Sequence, residues 1–186
     1  MMCNHQSSLD CLVIAKDAPR PTATLAKKSL LYVPLFGWAA WLAGTIFIER
    51  SSSSAINVMK KLVADLKKKK ANVWIFPEGT RCQNDSMLPF KKGGFHLAIE
   101  AQIPVVPVVV GNCRNFIDIP NKIFNSGILR VKVLQPIETT GMTKDDVTKL
   151  TNSCRDLMLK EYAQMMEDYK QEYVNMRPLP NSVKHD

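Results

Sequence analysis

The sequence has no Cys-x-x-Cys pair. Its five cysteines, Cys3, Cys11, Cys82, Cys113 and Cys154, are odd in number and scattered. That pattern argues against a disulfide framework and a zinc site, and points to reducing, cytosol-facing surroundings. The first ten residues lack the basic stretch and apolar run of a secretory leader. Internal repeats and long linkers are also missing. One domain therefore accounts for the 186 residues, a length sufficient for a real core. Charge is absent from residue 30 to residue 48. This approaches the roughly 20 residues of a bilayer-spanning helix, but Pro34, Gly37 and Gly44 interrupt it. A short apolar helix over about 35–43 and a buried strand over 45–49 fit better, in a core or at a membrane surface. Tyr32, Phe36, Trp38 and Trp41 suit an interface between water and lipid.

What is present fits a globular chain, with 46% hydrophobic and 23% charged residues. The net charge of +8 calls for an anionic partner: nucleic acid, a membrane surface or a phosphorylated substrate. The lysines at 67–70 have no interleaved aromatics and no DNA or RNA motif accompanies them, which disfavours nucleic acid.

Periodicity supplies the elements. A helix begins near Cys11, a turn covers 17–21 and a short strand covers 22–26. Ser51 to Ser54 can cap a helix carrying Ile56, Met59, Leu62, Val63 and Leu66, which ends in Lys67 to Lys70. Residues 72–76 read as a strand stopped by Pro77 and Gly79, and 93–101 as a helix. Residues 103–110 form a β-branched run typical of a strand buried on both faces. Residues 128–134 alternate like an edge strand. Thr143 caps a long last helix whose apolar face holds Val147, Leu150, Cys154, Leu157, Met158, Tyr162, Met165 and Tyr169. Strands alternating with helices predict an α/β domain over residues 1–176, with a mostly parallel sheet flanked by helices, and a flexible tail over 177–186.

Several blocks carry chemistry. Asn4-His5-Gln6-Ser7-Ser8-Leu9-Asp10 sets an imidazole five positions before a carboxylate. An imidazole can take a proton from a hydroxyl, and a carboxylate can fix its tautomer. The same stretch also fits a turn that caps a helix. Gly44 to Arg50 is an apolar strand delivering Arg50, either to an anion at a sheet end or to solvent beside Glu49. Phe76-Pro77-Glu78-Gly79-Thr80-Arg81 ends a strand with a carboxylate, a hydroxyl and a guanidinium, able to bind phosphate or to form a surface ion pair. Phe90 to Phe95 places Lys91 and Lys92 before a glycine-rich helix start, as an anion site or as solvated lysines. Ile103-Pro104-Val105-Val106-Pro107 is core strand, or one wall of an apolar channel. His96 reads as a packing or surface residue.

In this order the blocks resemble the glycerolipid acyltransferases, in particular the PlsC-like 1-acyl-sn-glycerol-3-phosphate (lysophosphatidic acid) acyltransferases. The resemblance runs from residue 3 to about residue 160. It implies His5 as general base with Asp10 orienting it, and Arg50, Glu78, Gly79, Thr80 and Arg81 around the glycerol phosphate with Lys91 nearby. It further implies Ile103, Pro104, Val105 and Pro107 along the acyl chain. Acyl-CoA and lysophosphatidate would be the substrates, with no metal and no prosthetic group. The setting implied is an anionic membrane surface on the cytosolic side of the endoplasmic reticulum. Backbone N–H groups near His5 would hold the oxyanion. The family's N-terminal membrane helices, and the strand feeding the His block, have no counterpart in Met1-Met2-Cys3. An incomplete N-terminus with a poorly held His5 is therefore expected. A catalytically silent lipid-binding module is the alternative reading.

Overall fold

Val108, Val109 and Val110 have no measurable exposure, and the rest of the chain is arranged to cover them. In the computed structural model, which describes residues 1–7, 9–48, 68, 72–82, 86–114, 116–118 and 121–176, they belong to strand β5 (Pro107–Val110). Among the described residues, two three-stranded sheets join edge to edge into one six-stranded sheet. β1 (Met2–Cys3) pairs parallel with β5, and β2 (Thr22–Lys27) pairs parallel with both β3 (Ile46–Ile48) and β4 (Asn72–Trp74). A parallel bridge from Met2 to Ile75 joins the two halves. The order is then β3-β2-β4-β1-β5, closed by an antiparallel edge strand, β8 (Val131–Val133). A separate two-stranded ribbon is formed by β6 (Ile117–Asp118) and β7 (Ile123–Phe124).

Strand alternation sends successive side chains to opposite faces. Met2 and Val109 pack against α3 (Gly93–Ala101) and α4 (Val147–Met176) through Phe95, Ala98, Leu150, Cys154 and Met158. Cys3, Val108 and Val110 pack on the other face with Trp74 and with Val13 of α1 (Asp10–Asp17). A parallel sheet covered on both sides explains the uninterrupted apolar run. The fold is the α/β domain that the alternating pattern predicts.

Several expectations shift. The run 103–110 is a strand only from Pro107, with Val105 making an isolated bridge to Ile137; Pro104 and Pro107 lack the N–H a ladder needs. The edge strand shortens from 128–134 to Val131–Val133. Leu157 is exposed rather than facing the core, because it lies about 100° around the helix from buried Met158. The helix expected over 51–70 and the tail over 177–186 lie outside the described residues.

The strand thought to be missing before His5 is present in two residues. Met2 N–H donates to Val106 O (2.8 Å), Cys3 N–H to Ile75 O (2.9 Å), and Ile75 N–H to Met1 O (3.0 Å). β1 is thus stitched between β4 and β5. No described helix is long and apolar enough to cross a membrane. All five cysteines are free, and four are buried. Burial pushes the Cys154 thiol up to about 12, so it acts as a small apolar filler.

Candidate active site

Parallel strands carry their ligand sites at their C-terminal ends. β1 and β4 are neighbours, and the residues leaving their ends are His5 and Phe76-Pro77-Glu78. As β1 leaves the sheet, Asn4 continues the ladder with its side chain. Its Nδ2–H donates to Val110 O (2.8 Å) and its Oδ1 accepts from Val110 N–H (2.7 Å). On the β4 side, His5 N–H donates to Glu78 Oε1 (2.8 Å) and His5 O accepts from Cys82 N–H (2.8 Å). The His5 stretch is therefore clamped from both adjacent strands. Asn4→Ala leaves two buried main-chain groups unpaired, at about 1–3 kcal/mol each. The melting temperature is expected to fall by about 5–15 °C in a thermal circular-dichroism scan. An unchanged melt would remove Asn4 from this role.

The imidazole is fixed as firmly as its backbone. Its ring stacks on Phe76 at 4.1 Å between centroids, with 21° between planes. Nδ1 lies 2.7 Å from Asp10 Oδ2, which also accepts N–H from Gln6 (2.8 Å) and Ser7 (3.1 Å). An oxygen already taking two backbone donors is an acceptor, so Nδ1 donates and Nε2 presents its lone pair. Among the described residues, Nε2 has no hydrogen-bond partner. Asp10 is 1% exposed while the His5 side chain is 19% exposed. Asp10 also stands in the first turn of α1, where the helix dipole favours negative charge. The arrangement has the geometry a general base and its orienting carboxylate require, with Nε2 unengaged among the described residues.

The same bonds narrow one expectation. The N–H groups of His5, Gln6, Ser7 and Leu9 are all donated already, the last to Ser7 Oγ at 3.0 Å. As the turn stands, those four cannot hold an oxyanion.

Glu78 is 2% exposed. Its oxygens accept from His5 N–H and from Leu88 N–H (2.8 Å), so its observed contacts are to backbone. Leu88 and Met87 are in turn tied by Arg155 of α4, whose guanidinium donates to both carbonyls (3.1 and 2.7 Å). Burial raises the Glu78 carboxyl above its ordinary value, against the lowering effect of its two backbone donors. A raised folded value means the folded state holds the proton more tightly than the unfolded chain. Glu78's contribution is then most favourable below the ordinary carboxylate value and is lost as pH climbs through the raised one. Glu78→Gln removes that dependence, and its amide turns a donor toward one backbone N–H. Denaturation across pH 4–7 is expected to show a lower, flatter stability in the variant. A parallel pair of curves would contradict this placement.

A family model described as Acyltransferase matches residues 1–111, a span containing His5, Asp10, Glu78 and all five parallel strands. The chain belongs to the acyltransferase family. It is 43% identical over 169 residues to human 1-acyl-sn-glycerol-3-phosphate acyltransferase alpha, covering 90% of this chain and 60% of that protein. It is 43% identical to the 1-acyl-sn-glycerol-3-phosphate acyltransferase of Saccharomyces cerevisiae, covering 86% of this chain and 54% of that one. With the enzyme of that name from Salmonella typhimurium the identity is 38%, covering 88% and 66%. The crystal structure of the lysophosphatidate acyltransferase PlsC from Thermotoga maritima shares the fold, with a TM-score of 0.69 at 23% identity over 89% of this chain and 65% of that one. The chain thus spans about 60% of the length of the human relative.

The acyltransferase fold brings most of the expected site residues to one edge. Gly79 sits in the turn after β4 with a φ of 72°, where a side chain would be strained. Thr80 and Arg81 follow it, both exposed. Lys91 N–H donates to Pro77 O (2.8 Å), which brings the exposed lysine beside that turn. Lys92 instead reaches Thr148 Oγ1 of α4 (2.8 Å). Arg50 lies outside the described residues. Val105 and Pro107 are buried, Ile103 is half-buried and Pro104 is exposed; Val105 and Ile103 pack into the core beneath α3 and α4. His96 is exposed on α3. Asn4, Phe76 and Arg155 support the site and were not singled out from the sequence. Asn4 and Phe76, the latter stacked on His5, open two of the blocks that the sequence flags, and Arg155 lies in none of them.

Proposed function

We propose that this chain transfers a fatty acyl group from acyl-CoA to the sn-2 hydroxyl of 1-acyl-glycerol-3-phosphate, giving phosphatidate and CoA. The observation that carries the reading is the His5–Asp10 pair at 2.7 Å with Nε2 unengaged, in a chain whose relatives are named for this acylation. His5 Nε2 takes the hydroxyl proton as the oxygen attacks the thioester carbon. The tetrahedral intermediate collapses, the C–S bond breaks, and the imidazolium returns the proton to the leaving thiolate. Asp10 holds the Nδ1–H tautomer and stabilises the transient imidazolium. No acyl-enzyme forms, and neither a metal nor a prosthetic group takes part.

Arg81, Lys91, Thr80 and Gly79, with Glu78 beside them and Arg50 as a further cation, bind the glycerol phosphate in this reading; the exposure of Arg81 and Lys91 by the turn after β4 supports it. The guanidinium offers two parallel donors to a phosphate. Ile103, Pro104, Val105 and Pro107 are assigned to the acyl chain on family grounds. The proposed setting is the cytosolic face of the endoplasmic reticulum membrane. CoA release across lysophosphatidate, glycerol-3-phosphate and lysophosphatidylcholine tests the assignment. Release with lysophosphatidate well above the others is expected. Release with none, or fastest with an acceptor lacking the phosphomonoester, would overturn it.

A further inference from the structure

After β2 the chain makes a short 3-10 turn, Lys28–Tyr32, and then α2, Phe36–Leu42. Large apolar side chains in this stretch face solvent: Leu35 at 88%, Trp38 at 78%, Leu42 at 77%, Tyr32 at 74% and Trp41 at 65%. A soluble surface rarely gathers so many without a partner. The stretch is also folded onto itself. Gly37 is buried against the preceding turn, and a Cβ there would clash with Leu31 O. Gly37 N–H donates to Val33 O (2.8 Å) and Ala43 N–H to Ala39 O (2.9 Å).

Position and charge say what covers it. β2 is parallel to β4, and β4 to β1, so this stretch leaves the same sheet edge as Glu78 and His5. Lys27 and Lys28 stand exposed at its base, and Arg81 and Lys91 are exposed on the loop after β4. From 28 to 48 the sequence has no acid, and from 77 to 92 it has two, Glu78, which is buried, and Asp85, against Arg81, Lys91 and Lys92. An apolar, Trp- and Tyr-bearing surface with a basic border complements an anionic lipid surface. The seven residues of α2 are too few to span a bilayer.

We propose that segment 30–42 is a preformed wedge that inserts Leu35, Trp38, Trp41 and Leu42 into the interface of an anionic bilayer and so holds the His5 edge against the lipid. This names the surface on which the proposed reaction runs, and rests on that reading for the purpose of docking, not for its detection. Vesicle sedimentation and tryptophan fluorescence test it without turnover. The chain has three tryptophans and Trp74 is 1% exposed, so a blue shift and quenching by bilayer-borne quenchers report Trp38 and Trp41.

With phosphatidylcholine vesicles containing phosphatidate, binding and a blue shift are expected. Trp38→Ser with Trp41→Ser should weaken binding on the order of 10- to 100-fold, with an unchanged thermal melt. Lys27→Glu with Lys28→Glu should cost on the order of 10-fold on anionic vesicles and little on neutral ones. Unchanged binding in the tryptophan variant overturns the proposal. So does a concentration-dependent dimer that the tryptophan variant abolishes while no vesicle binding occurs, since the surface would then join two copies. Loss of acyl transfer with binding intact would count against the proposed function alone. If both readings hold, the tryptophan variant loses rate on vesicle-borne lysophosphatidate and keeps it on a soluble short-chain analogue.

Discussion

Alanine at position 5 is expected to lower CoA release with lysophosphatidate on the order of 100- to 10,000-fold, the usual range for removing a positioned general base. The fold should survive. The bonds that hold this stretch in the sheet are made by the His5 main chain to Glu78 and Cys82 and by the Asn4 side chain to Val110. What the substitution removes is the ring stacked on Phe76, with its Nδ1 contact to Asp10 and the unengaged Nε2. A steady-state assay beside a thermal melt separates the two effects. A rate within a few-fold of the parent, in a folded variant, would assign the proton transfer elsewhere.

Asp10→Asn should be nearly as severe, on the order of 1,000-fold, by the logic of a carboxylate that orients a catalytic imidazole. Asp10 Oδ2 takes three donors, from His5, Gln6 and Ser7. An amide oxygen can occupy the same place with a full charge less, so the turn keeps its shape while the imidazolium loses its counter-ion. If the amide turns round instead, its N–H2 opposes all three donors. Either way kcat falls more than KM, because the interaction strengthens as the imidazole gains its proton. The variant carrying both changes should be no slower than His5→Ala alone, since the two residues act as one unit. Additive losses would mean that Asp10 contributes independently of His5.

The parts of this site legible in the sequence are the local ones. His5 and Asp10 are five residues apart, and a turn entering a helix suffices to join them. The valines of β5 announced a strand buried on both faces, and Thr143 announced a helix start, which forms as a reciprocal cap with Asp146. The supports of the site come from far along the chain. Asn4 meets Val110 across 106 positions, Glu78 meets His5 across 73, and Arg155 reaches Leu88 across 67. No period or spacing encodes such pairs; they appear once the strand order places β1 between β4 and β5.

Glu78 illustrates the consequence. Read locally, its carboxylate beside Gly79 and Arg81 pointed to substrate. In the folded chain its oxygens accept from the backbone of His5 and Leu88, while Thr80 and Arg81 of the same block are exposed. The expectation of a poorly held His5 failed for a related reason. Met2 and Cys3 bond to both neighbouring strands, and the buried Asn4 amide extends the ladder.

The central claim is that His5 removes the proton of a lipid hydroxyl for direct attack on a thioester. It is tested most directly by CoA release with lysophosphatidate and with its analogue lacking the sn-2 hydroxyl, in the parent chain and in His5→Gln. The account predicts release with lysophosphatidate alone, matched mole for mole by phosphatidate, and its loss in His5→Gln. Equal release with the deoxy analogue, or release undiminished in His5→Gln, would contradict it.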